Sequence, residues 1–320
     1  MAAARIRIVG AGLMGHALAL DFALRGQAVH VTDADPERLS TLRERVQADC
    51  LPLIKAGILD AASANALIER ITPVPDIAAA VRDATYVVEA VTERLEVKKA
   101  LFAELEQAAP ADAIFASNTS GLRATDLAAD LAHPERVIVA HYFNPPHLIP
   151  AVEIVPGERT SQETVDRTLS LLRGIGKLPV ALKREVPGFI ANRLQAALLR
   201  EAIYLVESGA ATTEDIDAII HGAVGRRLSV MGPFQVLDFA GLDVWADIGS
   251  YLFADLDTTD TAQQFLERYV AEGRRGVKTG AGIYQWSAEA LAAVTAARDG
   301  ELLRGLQRDQ TPTHRPKGEA

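Results

Sequence analysis

The stretch Arg5 to Gly15 reads RIRIVGAGLMG, an apolar strand that runs directly into Gly10, Gly12 and Gly15. In a dinucleotide-binding turn the first glycine permits the sharp bend and the second lets a pyrophosphate approach the backbone. The third lets the following helix pack closely on the strand. The anion then rests on the positive N-terminal end of that helix. The context here is complete: an apolar helix follows over Leu18 to Leu24, then a second strand ending in the acid Asp33. Asp33 would accept bonds from an adenosine ribose and repel a 2′-phosphate, which favours NAD over NADP. The alternatives are that Asp33 merely starts a turn with Asp35 and Pro36, or that Asp35 takes the ribose role. FAD shares the glycine fingerprint; the rest of the chain argues against it.

The same alternation continues through the first half. Strand-length apolar runs lie at 28–33, 86–91, 113–117 and 137–141, and helical patterns separate them, as in 93–109 with Leu95, Leu101 and Leu105. Strands alternating with helices imply right-handed βαβ units around a parallel sheet. From about Val186 the strand signals vanish and long helical patterns take over, at 189–208 and 213–221, the latter opened by Thr212 or Thr213 as N-cap. The expected class is therefore α/β, an N-terminal Rossmann doubly wound parallel sheet followed by an all-α C-terminal domain. The expected boundaries are 1–185 for nucleotide binding, 186–302 for the helical domain, and 303–320 as a disordered polar tail.

Composition narrows the function classes. The 320 residues carry 33 basic and 42 acidic side chains, an acidic balance that argues against a nucleic-acid partner. The single cysteine, Cys50, excludes a disulfide framework and a multi-cysteine metal site, so no metal is expected. No apolar run is long enough for a membrane span, and the first ten residues lack the sections of a signal peptide. A cytoplasmic protein with a small-molecule substrate is expected.

Residues 117–153 hold the chemistry: SNTS at 117–120, HYFNPP at 141–146, and Glu153 in AVEIV. His141 ends a strand, where α/β sheets place ligands, and Glu153 follows 12 residues later. A histidine suits the removal of a hydroxyl proton, and a carboxylate on its other nitrogen fixes the tautomer and stabilises the imidazolium. An isolated histidine is more often a satisfied structural residue. Beside a nicotinamide site, an alcohol dehydrogenase needs one such base.

With these motifs the chain resembles the 3-hydroxyacyl-CoA dehydrogenase family over roughly residues 5 to 290. The likeness continues through VVEAVTERLEVKKALF at 87–102, VPGFIANRLQAALLREAIYLVESGAATTEDID at 186–217, MGPFQVLDFAGLD at 231–243 and GVKTGAGIYQW at 276–286. By matching position the resemblance implies His141 as catalytic base and Glu153 as its orienting partner. Ser120 and Asn192 fall on residues that hold the substrate oxygen, and Asn144 on the asparagine of the histidine motif. On the cofactor side it implies Gly10, Gly12, Leu13, Met14, Gly15, Asp33 and Asn118, with Glu93 and Lys98 near the nicotinamide and its ribose. The structural alternatives are a helix cap for Ser120 and a backbone-bonded turn residue for Asn192. For Glu93 and Lys98 the alternative is an exposed helix pair. The implied reaction is oxidation of a secondary alcohol by hydride transfer to NAD, in a homodimer.

Substrate class divides the family. Its acyl-CoA members carry a lysine-rich hairpin after the second strand, whereas residues 37–75 here hold five basic and five acidic side chains. That segment looks like its counterpart in the L-gulonate dehydrogenase and lambda-crystallin branch. GAVGRRLSVMGP carries Arg226 and Arg227. At Arg227 the gulonate, carnitine and pyridoxine-degradation branches also place a basic residue, suited to a substrate carboxylate; the alternative is a solvated surface arginine. HYFNPP, in contrast, is nearer the acyl-CoA form. The expectation leans to a small free 3-hydroxy carboxylate, with an L-3-hydroxyacyl-CoA of fatty-acid metabolism as the alternative and a non-catalytic, crystallin-like NADH binder as a remote one. A related dehydrogenase type takes its acid/base lysine from a G-x-x-G-x-x-x-K helix; here VPGFIANRL stands in that place.

Overall fold

A computed structural model describes residues 4–310. The chain divides into two compact units. The first takes the residues up to Ile190 together with those from Thr295 onward, and the second spans Ala191–Val294.

Among the described residues the first unit contains all eight strands: β1 (Ile6–Val9), β2 (Val29–Thr32), β3 (Ile71–Pro73), β4 (Tyr86–Glu89), β5 (Ile114–Ser117), β6 (Val137–Tyr142), β7 (Ala151–Pro156) and β8 (Leu178–Ala181). They form one sheet in the order β3-β2-β1-β4-β5-β6-β7-β8. The first six strands are parallel, and the order reverses between β1 and β4, the crevice where such sheets bind dinucleotides. β1, β4 and β5 are buried at every position, which is why they read as continuous apolar runs and not as alternating ones.

Helices cover the sheet: α1 (Leu13–Leu24), α2 (Pro36–Ser40), α3 (Leu42–Lys55), α4 (Ala61–Ile68), α5 (Ile77–Val81), α6 (Leu95–Ala108), α7 (Ala124–Leu127) and α8 (Gln162–Gly174). Two apolar clusters result. One gathers Ile6, Ile8, Leu18 and Phe22 with Val88 and Ile154; the other gathers Val87, Phe102, Phe115, Val137 and Phe189.

β7 runs antiparallel to β6 because the loop between them, 143–150, is too short for the crossover helix that a parallel return requires. In this register His141 stands directly opposite Glu153. The 12-residue spacing of the two is thus a property of the hairpin. β8 then pairs parallel to β7 at the sheet edge.

The second unit holds α9 (Ala191–Glu207), α10 (Thr213–Ile219), α11 (Gly225–Leu228), α12 (Pro233–Ala240), α13 (Leu242–Asp255) and α14 (Thr261–Ala271). Thr212 caps α10, its hydroxyl accepting from the Asp215 N–H while the Asp215 carboxylate accepts in return. The last helix, α15 (Ala288–Gln310), corrects one expectation. Residues 303–310 are helical, not disordered, and from Thr295 the helix belongs to the first unit and not to the helical domain. Its half-buried positions, Thr295, Asp299, Leu302, Leu303 and Leu306, follow a helical period that the polar residues and Gly300 and Gly305 obscure in sequence. Residues 311–320 of the expected tail lie outside the described residues. No helix among those described is long and apolar enough to cross a membrane.

Candidate active site

The glycine turn has the geometry its sequence requires. Gly10 sits at φ +104°, and a Cβ there would stand 2.5 Å from the Ala90 carbonyl oxygen. A Cβ on Gly15 would lie 1.7 Å from the Gly10 carbonyl oxygen, so the helix can approach the strand only at glycine. Gly12 is the N-cap of α1 and supplies no side-chain cap, which leaves the first-turn N–H groups for an anion. Leu13 and Met14 line the cavity in front of it. Asp33 accepts from the Ala11 N–H at 2.6 Å and the Asp35 N–H at 2.8 Å. It therefore braces the glycine turn and also presents an acid at the end of β2. Asp35, the runner-up, caps α2 through the Glu37 N–H. A cavity of about 540 Å³ opens at the switch point between Gly10, Asp33, Ile77 and Val91, the place for an adenosine.

A buried ionic network lies behind the SNTS loop. Lys98 is 1% exposed, and its ammonium is 2.6 Å from Glu89 and 3.2 Å from Glu93. This overturns the exposed-pair alternative for Glu93 and Lys98: only Glu93 reaches solvent. Glu89, fully buried at the end of β4, also accepts from the Ser117 hydroxyl at 2.5 Å and the Val91 N–H at 2.7 Å. Glu93 accepts from the Thr119 hydroxyl and, at 3.0 Å, from the Ser120 N–H. Asn118 accepts the Tyr142 N–H at 3.0 Å. Two acids and an amide thus fix the backbone that presents Ser120 and join it to the strand that carries His141.

His141 and Glu153 are both 5% exposed, and the imidazole Nδ1 is 2.7 Å from the carboxylate. Nδ1–H donates to Glu153, so the neutral ring keeps its lone pair on Nε2, the nitrogen left to accept a proton. The second oxygen of Glu153 accepts the Ile190 N–H at 2.8 Å. Phe189, which precedes it, is a non-glycine residue at φ +54°, a conformation costing about 1–2 kcal/mol. Its ring lies 5.5 Å from the imidazole on one side, and that of Phe143 lies 4.8 Å away on another. The strained residue therefore packs against the imidazole and aims the next N–H at Glu153.

The loop leaving His141 is held from below. The Lys177 ammonium donates to the carbonyls of Pro146 at 2.6 Å and Ile149 at 2.9 Å, and pairs with Asp21 of α1 at 3.0 Å. Burial pulls this lysine below the ordinary lysine range, with Asp21 opposing the shift. Asn144 is exposed at the turn of the loop.

The expected residues thus converge in part. Gly10 to Gly15 and Asp33 form one group, and Glu93, Lys98, Asn118, Ser120, His141 and Glu153 another, both in the first unit. Asn192 stands in the first turn of α9, and Arg227 lies exposed on α11 beside a cavity of about 360 Å³ with Leu228, Phe234 and Trp245, both in the second unit. Sequence reasoning missed Glu89, Phe189, Lys177 and Asp21. Only Glu89 carried a signal, an acid closing an apolar strand. No group of three or more metal-ligating side chains occurs among the described residues.

Residues 5–186 match the model of the 3-hydroxyacyl-CoA dehydrogenase NAD-binding domain, and residues 188–286 that of the 3-hydroxyacyl-CoA dehydrogenase C-terminal domain. The chain is 36% identical to a 5-formyl-3-hydroxy-2-methylpyridine 4-carboxylate 5-dehydrogenase of Mesorhizobium japonicum, over 93% of this chain and 96% of that one. It is 41% identical to an L-carnitine dehydrogenase of Streptomyces griseus, over 74% and 70% of the two chains. A solved structure of a 5-formyl-3-hydroxy-2-methylpyridine 4-carboxylic acid 5-dehydrogenase, an NAD⁺-dependent dismutase, superposes with a TM-score of 0.88. That pair is 34% identical over 96% of this chain and 98% of the other.

Proposed function

The chain belongs to the 3-hydroxyacyl-CoA dehydrogenase family, and from that premise we propose that it oxidises the secondary alcohol of a small free hydroxy carboxylate, with His141 as base and Glu153 as its partner. The coarser statement stands by itself: the protein is an NAD-dependent dehydrogenase acting on hydroxy acids. The observation that carries the finer reading is the buried 2.7 Å His141–Glu153 pair on facing strands.

The residues present fit NAD. Gly10, Gly12, Leu13, Met14 and Gly15 would hold the pyrophosphate, Asp33 the adenosine ribose, and Glu93, Lys98 and Asn118 would order the nicotinamide end. NAD, when bound, accepts the carbinol hydride. His141 Nε2 takes the hydroxyl proton, and the Glu153 carboxylate stabilises the imidazolium that forms. Ser120 and Asn192 bond the substrate oxygen as it becomes a carbonyl. Arg227 is assigned to the substrate carboxylate, bidentate by the shape of guanidinium. Two relatives named for substrates that carry a free carboxylate support this class over a thioester, as does the even charge of residues 37–75.

The test is a panel of L-carnitine, L-gulonate, free 3-hydroxybutyrate and 3-hydroxybutyryl-CoA with NAD⁺. At least one free acid should exceed the thioester in kcat/KM by tenfold or more. Turnover of the thioester alone would assign the chain to fatty-acid metabolism instead.

Homodimerisation and a cytoplasmic location complete the proposal. Ile203 and Phe265 are the only large apolar side chains buried among the described residues of the second unit, while Phe234, Phe239, Tyr251 and Phe253 are 80%, 85%, 66% and 67% exposed. That much apolar surface needs covering, and a second copy is the partner proposed. Sedimentation at micromolar concentration should give a dimer; a monomer removes this part of the proposal.

A further inference from the structure

Between the first turn of α1, beside the pyrophosphate place, and the loop leaving His141 lies a cavity of about 210 Å³. Its lining includes Leu13 and Asn144, Asp49 and Leu53 of α3, and Arg298 and Asp299 of α15. The last two residues come from a helix outside the matched family domains, which end at residue 286.

α15 is attached there by specific bonds. The Gln307 side-chain N–H donates to the Ala56 carbonyl at 3.0 Å, satisfying a carbonyl at the C-terminal end of α3 that the helix itself leaves free. The Arg298 guanidinium is 2.8 Å from the Asp299 carboxylate, so the two side chains brace one another at the cavity wall. The resulting space is smaller than the roughly 300 Å³ at which pockets for drug-sized ligands begin. Its lining mixes apolar side chains with polar groups: His16 bonds the Gly12 carbonyl at 2.8 Å and lies 3.1 Å from Asp49.

We propose that α15 is the size-limiting element of substrate selection, closing the cavity at Asn144 so that a small free hydroxy acid is accommodated and the thioester arm, which extends from the carboxyl carbon, is excluded. This rests on the reading of the site as a hydroxy-acid dehydrogenase. A substituent that ran from the carbinol along the 143–150 loop, of which Asn144, Pro145, His147 and Leu148 line the cavity, would come up against Arg298 and Asp299. A few polar atoms fit there; a long chain does not.

The experiment compares the full-length wild type with Arg298→Ala/Asp299→Ala and, separately, with Gln307→Ala, which removes the bond to Ala56. NADH affinity should stay near wild type in both, since none of these residues is among those assigned to NAD, and the melting temperature should fall only slightly. The kcat/KM ratio of 3-hydroxybutyryl-CoA to the preferred free acid should rise at least tenfold in the double variant and more modestly in Gln307→Ala. Quenching of NADH fluorescence by acetoacetyl-CoA should strengthen in parallel. A selective wild type whose ratio and acetoacetyl-CoA affinity stay unchanged in both variants overturns the role of α15 and leaves the dehydrogenase reading intact. A wild type that already prefers the thioester, or turns over neither class, overturns the substrate reading itself, and this inference with it.

Discussion

Replacing His141 by glutamine should lower kcat by about 10²–10⁴-fold while NADH affinity stays at the wild-type value. Glutamine fills much of the same space between Phe143 and Phe189 and can still donate to Glu153, but it has no basic nitrogen to take the hydroxyl proton. The cofactor groups lie on other elements, the turn at Gly10 to Gly15 and the end of β2. Steady-state kinetics beside a fluorescence titration with NADH separate the two effects. A variant with near wild-type turnover would mean that another group is the base.

The second large effect is on stability. Lys98→Met should destabilise the protein by about 3–5 kcal/mol, because the fully buried Glu89 loses the ammonium 2.6 Å away. At roughly 2–4 °C per kcal/mol for units of this size, the melting temperature should fall on the order of 10 °C. Removing both charges, as Glu89→Gln/Lys98→Met, should recover much of that loss, since no uncompensated ion then remains buried. Calorimetry on the two variants decides the point; equal melting temperatures for both would show that the pair is not what stabilises the site. NADH affinity should also weaken in Lys98→Met, because the network orders Glu93 and the SNTS backbone.

The parts of the fold legible in sequence are those set by local pattern. Central strands buried on both faces read as apolar runs, and the glycine turn is recognisable because sterics at Gly10 and Gly15 admit no other residue. The edge strands β3 and β8 escaped, being three and four residues long and each containing a proline, Pro73 or Pro179. The C-terminal end of α15 escaped because its support is tertiary, against α3, and its composition alone reads as a tail.

The site divides in the same way. His141 and Glu153 are twelve residues apart because a hairpin makes them neighbours, so their relation survives as a spacing. Glu89 with Ser117 and Lys98, or Lys177 with Asp21, meet only after the sheet is assembled and leave no spacing to read. Phe189 shows the limit most plainly: in VPGFIANR the glycine accounts for its own φ of +75°, but nothing marks the phenylalanine after it as a second positive-φ residue, at +54°.

Transfer of the carbinol hydride of a free hydroxy acid to NAD, with His141 removing the hydroxyl proton, can be followed with L-carnitine or 3-hydroxybutyrate carrying deuterium at the carbinol carbon. Wild-type enzyme should place one deuterium in the reduced nicotinamide for each ketone formed, and His141→Gln should lose label transfer and ketone formation together. Label that appears in water or remains in the product, or transfer that persists in His141→Gln, would contradict the account.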